Sequence, residues 1–233
     1  MPQQLPLFRP RTDASFDNFV VIDANATAVH ALRQWLLQTN GYVFYLFGSK
    51  GCGRSHLLQA ACRDSAAIYL PMQELKTQNP QAVCEGLEHA EIVCIDDVDV
   101  ILTDLAWCEQ LFHLCNRLLA AQRKLLVSAS SAAATAPCVL PDLQSRLSWG
   151  GSFKLLPLDD DGLARALKIR ARERGFDLDG EVIAYILARY SRNMEALLAL
   201  LHELDRHSLA EHKRITIPFV RRFIDAVDAS GET

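Results

Sequence analysis

No stretch of these 233 residues stays apolar for the ~20 positions that a bilayer-spanning helix needs, and a run such as 42–47 (Tyr-Val-Phe-Tyr-Leu-Phe) covers only a fraction of that length. The N-terminus also lacks the charged-then-apolar order of a secretory leader, so a cytoplasmic location is expected, with no membrane partner. Among Cys52, Cys62, Cys84, Cys94, Cys108, Cys115 and Cys138 there is no C-x-x-C pair, which removes the usual zinc and thiol-exchange spacings. These cysteines read as small, buried hydrophobes with reduced thiols. An excess of positive charge is missing too. With a net charge of −4 and a pI of about 6.0, no global field draws the chain to DNA or to an anionic surface, so any nucleic-acid role is indirect. The local pairs Lys213-Arg214 and Arg221-Arg222 read as solvated helix faces. Repeats are absent, and the alanine-rich loop 132–136 is the one low-complexity tract.

What is present is enough for one domain and a smaller satellite, since 50% of the residues are hydrophobic and 22% charged. Residues 1–15, with Pro2, Pro6 and Pro10 and no periodicity, read as an extended tail. A helix opening near Asn25 carries Val29, Leu32 and Leu36 on one face and leads into an apolar strand at 42–47. Further strands are expected at 67–70, 92–95, 125–129 and 153–156. Helices are expected at 54–64, 80–89 and 105–123, the second capped by Asn79 ahead of Pro80. Strands that are apolar on both faces and alternate with helices imply a parallel sheet covered on both sides, here over residues 16–156. After Pro157 the pattern changes to amphipathic helices beginning near Asp159, Asp179 and Ser191, with a last one at 218–227. Residues 157–233 thus form a small helical lid.

The run Gly48-Ser49-Lys50-Gly51-Cys52-Gly53-Arg54-Ser55 follows a buried strand and opens a helix, which is the setting required of a phosphate loop of the form G-x-x-x-x-G-K-[ST]. Its glycines let backbone N–H groups converge on a phosphate at the positive end of the following helix. Arg54 stands where the motif has lysine, and Ser55 keeps the hydroxyl that reaches magnesium. A planar guanidinium sits differently between phosphates from an ammonium, so binding survives where fast hydrolysis does not. Further on, Ile92-Val93-Cys94-Ile95-Asp96-Asp97 is an apolar strand ending in two carboxylates that face the ligand crevice of a parallel sheet, as in a Walker B element. Asp96 is placed to help hold Mg²⁺ and Asp97 to orient or deprotonate water, with the shorter side chain of Asp97 leaving that base role open. Asp99 and Asp104 read as loop or cap carboxylates.

With these two motifs in this order, and Phe16-Asp17-Asn18-Phe19-Val20 ahead of them, the chain resembles the DnaA-related AAA+ family of P-loop nucleotide-binding proteins, and within it the Hda type, over almost its whole length. The resemblance implies an α/β AAA+ domain with a parallel five-stranded sheet, followed by the helical lid. Arg54-Ser55-His56-Leu57-Leu58 is similar to the Hda-type run in which arginine likewise replaces the motif lysine. The match counts His56 with the nucleotide-binding residues, although alone it reads as a packed helical histidine with no chemistry of its own. Leu140-Pro141-Asp142-Leu143-Gln144-Ser145-Arg146-Leu147-Ser148-Trp149-Gly150 is similar to the family segment that carries an arginine finger, which puts Arg146 in that role; without the match, Arg146 reads as a surface arginine pairing with Asp142. Arg192-Asn193-Met194-Glu195 resembles the opening of the lid helix, which makes Arg192 the sensor 2 residue. The family's polar residue and Asp-Arg after the fourth strand are replaced by Ser128-Ala129-Ser130-Ser131, so the usual sensor 1 carboxylate is missing.

In the tail, Gln4-Leu5-Pro6-Leu7-Phe8 resembles the Q-L-x-L-F peptide by which bacterial proteins dock on the sliding clamp, the β subunit of DNA polymerase III. A glutamine amide anchors such a segment, Leu5, Leu7 and Phe8 fill apolar pockets, and Pro6 lowers the entropy lost on docking. After Val227 there is no room for the DNA-binding domain with which DnaA continues. The resemblance therefore implies a regulator that binds ADP (or ATP), with Mg²⁺ at Ser55 and Asp96 if present, docks on the DNA-loaded clamp and promotes hydrolysis by DnaA. Two other readings stay open: an autonomous ATPase of helicase-loader type using Arg146 in its own homo-oligomer, and a non-catalytic scaffold stabilised by nucleotide.

Overall fold

The computed structural model describes residues 13–39, 43–63 and 66–230 and divides between Pro157 and Leu158 into two compact units. The first begins with α1 (Asp23–Leu37), whose buried Ala28, Val29, Leu32 and Trp35 recur at helical spacing. Its one buried polar residue is Asn25, which accepts from the Leu156 N–H at 2.8 Å and donates to the Leu156 carbonyl at 2.9 Å. This satisfied amide stitches the helix to the chain that leaves the sheet.

Five parallel strands, β1 (Val43–Phe47), β2 (Ala67–Pro71), β3 (Ile92–Asp96), β4 (Lys124–Ala129) and β5 (Gly151–Lys154), lie in the order β2-β3-β4-β1-β5. Successive side chains enter opposite cores, as the near-continuous apolar strands require: Val93 and Ile95 pack on one face, Ile92 and Cys94 on the other. The last strand starts at Gly151 rather than at 153, because Phe153 is needed within it, stacked 4.6 Å from Phe44 on β1.

Around the sheet stand α2 (Arg54–Arg63), a short α3 (Met72–Leu75), α4 (Pro80–Cys84), α5 (Leu105–Ala120) and α6 (Pro141–Ser148). The helix expected at 80–89 is shorter. It is capped as expected by Asn79, which accepts from the Ala82 N–H at 3.1 Å, but it stops before Gly86, which is left-handed with φ 74° and opens a separate 3₁₀ turn over Leu87–His89. Similarly, α5 ends at Ala120 because Gln122 is left-handed, at φ 54°. Asp104 caps α5 by accepting from the Ala106 and Trp107 N–H groups at 2.9 and 3.2 Å. Six of the seven cysteines are buried, and all seven are free thiols.

The second unit contains α7 (Asp160–Glu173), α8 (Gly180–Arg189), α9 (Met194–Glu211) and α10 (Ile217–Ser230). Leu163, Leu167, Ile183, Ile186, Leu197, Leu201, Leu204 and Val220 give it a core of its own. Asp159 caps α7 through the Gly162 N–H at 2.8 Å, and Asn193, two residues later than the start expected near Ser191, caps α9 through the Glu195 N–H at 2.8 Å. None of the described helices is long and apolar enough to cross a membrane.

Candidate functional site

The parallel order places the carboxyl ends of β3, β4 and β1 side by side, and the segments that follow them line one crevice. After β1 the chain turns tightly through residues 48–53 into α2. Gly48 donates to the Ala129 carbonyl at 3.2 Å, and a Cβ on it would run into the Leu155 carbonyl oxygen. Gly53 has φ 100°, and a Cβ there would lie 2.6 Å from the Phe19 ring. A side chain at either place is excluded by the backbone path or by its neighbour. Cys52 donates its N–H to the Ser49 carbonyl at 3.2 Å, and its buried thiol is pushed above its ordinary pKa by desolvation. Ser49, Lys50 and Gly51 remain exposed at the rim.

Phe19 is held in place by the segment ahead of it. Asn18 accepts from the Ser15 N–H at 3.0 Å and donates to the Asp13 carbonyl at 2.6 Å, while His56 meets the Ser15 carbonyl at 2.9 Å through Nε2 and sets its ring edge-on to Phe19 at 5.4 Å. His56 thus ties this segment to the first turn of α2.

Arg54 is 8% exposed and reaches across the crevice, donating from Nη2 to Asp97 Oδ1 at 2.9 Å; Nη1 is buried and has no hydrogen-bond partner. Asp97 is left-handed, with φ 53° and ψ 52°, and donates its N–H to Ser128 Oγ at 2.9 Å. Its carboxyl is pushed above the usual carboxylate range, first by desolvation and then by Asp96, with Arg54 opposing.

Asp96 is 4% exposed and receives two hydroxyls: Tyr69 donates to Oδ2 at 2.5 Å and Ser128 donates to Oδ1. Gln59 on α2 donates to the Tyr69 hydroxyl at 3.1 Å, and burial next to Asp96 raises the Tyr69 phenol above its ordinary pKa. Ser130 donates from its hydroxyl to Asp99 Oδ2 at 2.6 Å and from its N–H to Oδ1 at 3.2 Å. A carboxylate from the turn after β3 thus meets Ser130 at the end of β4. Tyr69, Gln59, Ser128 and Asp99 escaped the sequence reading as site residues. Their signal was a tyrosine and a serine inside otherwise apolar strands, legible only once the register puts β2 and β4 on either side of β3.

Arg146 lies near the end of α6. Its guanidinium sits 4.0 Å above the Trp149 ring and 5.9 Å from Phe112, rather than pairing with Asp142. Arg146 and Trp149 line a shallow notch together with Arg123, Cys115, Leu118, Leu119, Leu125 and Val43. In the second unit, Arg192 precedes the Asn193 cap of α9 and pairs with Asp160 at 3.1 Å. Gln4, Leu5, Pro6, Leu7 and Phe8 lie outside the described residues.

The ATPase domain of bacterial DnaA matches residues 11–154, and the lid domain of Hda matches residues 159–224. The chain belongs to the DnaA family of AAA+ proteins. Solved structures agree in fold with this DnaA-family chain. Domain III of the Thermotoga maritima replication initiation protein DnaA is 21% identical, with a TM-score of 0.79, over 93% of this chain and 96% of that one. AMPPCP-bound DnaA from Aquifex aeolicus is 20% identical with a TM-score of 0.70, over 84% of this chain and 66% of that one. The Thermotoga maritima RuvB Holliday junction branch migration motor is 18% identical with a TM-score of 0.71, over 94% and 72%. At these identities the structures show the fold alone, a parallel α/β unit followed by a helical unit. They leave the roles of individual side chains to the geometry described above.

Proposed function

We propose that this DnaA-family chain is a nucleotide-binding regulator of replication initiation that docks on the DNA-loaded sliding clamp and promotes hydrolysis of the ATP held by DnaA. The observation that carries the nucleotide reading is the buried guanidinium of Arg54, with Nη1 unpartnered, on the first residue of a helix that follows a glycine turn. A phosphate oxygen satisfies that nitrogen, and the N-terminal end of α2 favours the same charge. Gly48, Ser49, Lys50, Gly51, Cys52, Gly53, Arg54, Ser55 and His56 would hold ADP or ATP, and Arg192 is the further nucleotide-binding residue that the family resemblance implies. A bound nucleotide would supply the phosphate charge that this loop and Arg54 hold. Magnesium, if it accompanies the nucleotide, would use Ser55 and the lone pairs of Asp96 left over by Tyr69 and Ser128.

Asp97 is a poor base in this arrangement, because Arg54 occupies one of its oxygens. That pairing speaks against an autonomous ATPase and for a chain that acts on a partner's nucleotide. Arg146, held on an exposed indole and not in a carboxylate pair, is the residue offered to that partner: a fixed positive charge at a transferring phosphoryl group is worth ~10³–10⁵ in rate. The tail Gln4 to Phe8 would bring the chain to the clamp and so to DNA only indirectly.

The test is ATP hydrolysis by DnaA in the presence of this chain, the clamp and DNA, comparing the intact chain with Arg146→Ala and with a version lacking residues 4–8. Stimulation by the intact chain that is lost in both variants supports the regulator. No stimulation by the intact chain rejects it, and turnover by the purified chain alone would restore the autonomous ATPase.

A further inference from the structure

Arg54 has two ends, and they are in different states. Nη2 is bound to Asp97 at 2.9 Å, whereas Nη1 is buried without a partner, although the whole side chain is only 9% exposed. Because a guanidinium is planar and rigid, an acceptor on Nη1 must stand beside the Asp97 carboxylate on the same fork. Asp97 is tethered at both its backbone and its carboxylate. Its left-handed backbone, its N–H bond to Ser128 Oγ and the contact with Arg54 hold it at the end of β3, with Asp96 one residue before it and Asp99 two residues after.

We propose that Arg54 bridges Asp97 and one phosphate of the bound nucleotide, and that Asp97 thereby sets the discrimination between a nucleoside diphosphate and a triphosphate. This rests on the nucleotide-binding reading above. A lysine in the same place is a point charge on a flexible stem and can follow an added phosphate; a fork pinned by a carboxylate cannot. The charge of a third phosphate is then set against Asp97, within a crevice already carrying Asp96 and Asp99, and only half of the guanidinium remains to offset it.

The experiment is calorimetric titration of the full chain with ADP and with ATP in EDTA, for the intact protein, Asp97→Asn and Arg54→Lys. Asparagine tolerates the left-handed conformation and keeps an oxygen for Arg54 Nη2, so that substitution changes charge with little change of shape. The intact chain is expected to favour ADP, and the ATP-to-ADP affinity ratio to rise by about tenfold in Asp97→Asn. Arg54→Lys, which dissolves the fork, is expected to narrow the preference in the same direction. If the intact chain binds both nucleotides and neither substitution alters the ratio, Asp97 has no part in the discrimination. If the intact chain binds neither nucleotide, the failure lies with the nucleotide-binding reading itself, and this inference falls with it.

Discussion

Two regions of the α/β unit hold its candidate functional charges, and they are built in opposite ways. At the carboxyl end of the sheet, Asp96, Asp97, Arg54, Tyr69 and Ser128 bond to one another across three strands and a helix, and Asp96 is 4% exposed. At the α6 edge, Arg146 rests on the Trp149 ring, and that indole is 56% exposed. Buried charges must find partners within the fold, which fixes the crevice before any ligand arrives. A cation on a solvent-facing ring is held by ~0.5–1 kcal/mol and can be redirected at little cost. On the function proposed above, the first region would receive the nucleotide and the second would present a charge to a partner.

Removing Arg54 is the harshest way to break this contrast. Arg54→Ala takes the paired guanidinium from Asp97 and leaves Asp96 beside it, and chemical denaturation is expected to show a loss of roughly 2–4 kcal/mol, below the full figure for a buried pair because the Asp97 side chain is 26% exposed. Tyr69→Phe should cost on the order of 1–3 kcal/mol by the same measurement, since Asp96 loses a donor where water cannot replace it and Gln59 loses its acceptor. At the other region, Arg146→Ala should cost only about 0.5–1 kcal/mol. A larger loss would mean that Arg146 is structural and would remove the contrast. The smallest effect is expected for Arg192→Ala: both partners of its pair with Asp160 are more than half exposed, so unfolding should shift by less than about 0.5 kcal/mol. If Arg192 matters, the change will appear in nucleotide affinity and not in stability.

Much of the architecture could be read directly from residues. The apolar strands at 43–47, 92–96 and 124–129, the glycine turn that opens α2 at Arg54, and the caps at Asn79, Asp104 and Asp159 all follow from local preferences that tertiary contacts reinforce. The failures are equally particular. The helix expected through 89 ends early because Gly86 is left-handed, and the strand expected at 153–156 lies instead at 151–154, where ring stacking draws Phe153 into the middle of β5. For Arg146, spacing alone offers Asp142 on the same helix face as the alternative to the arginine-finger role that the resemblance implies; the structure instead sets the guanidinium on the aromatic ring one turn onward, a contact that spacing rules for charges do not consider.

By itself the sequence determined that this chain would fold as a P-loop α/β unit with a helical lid, because glycine spacing, strand hydropathy and cap residues act over a few neighbouring positions. Which carboxylate would face which cation was decided only by the tertiary structure. Asp96 and Asp97 are adjacent and chemically alike, yet strand alternation turns one towards Tyr69 and Ser128 while a left-handed turn aims the other at Arg54. Those partners come from strands and a helix separated by 27 to 43 residues. Their meeting depends on sheet order and register, which no local pattern encodes.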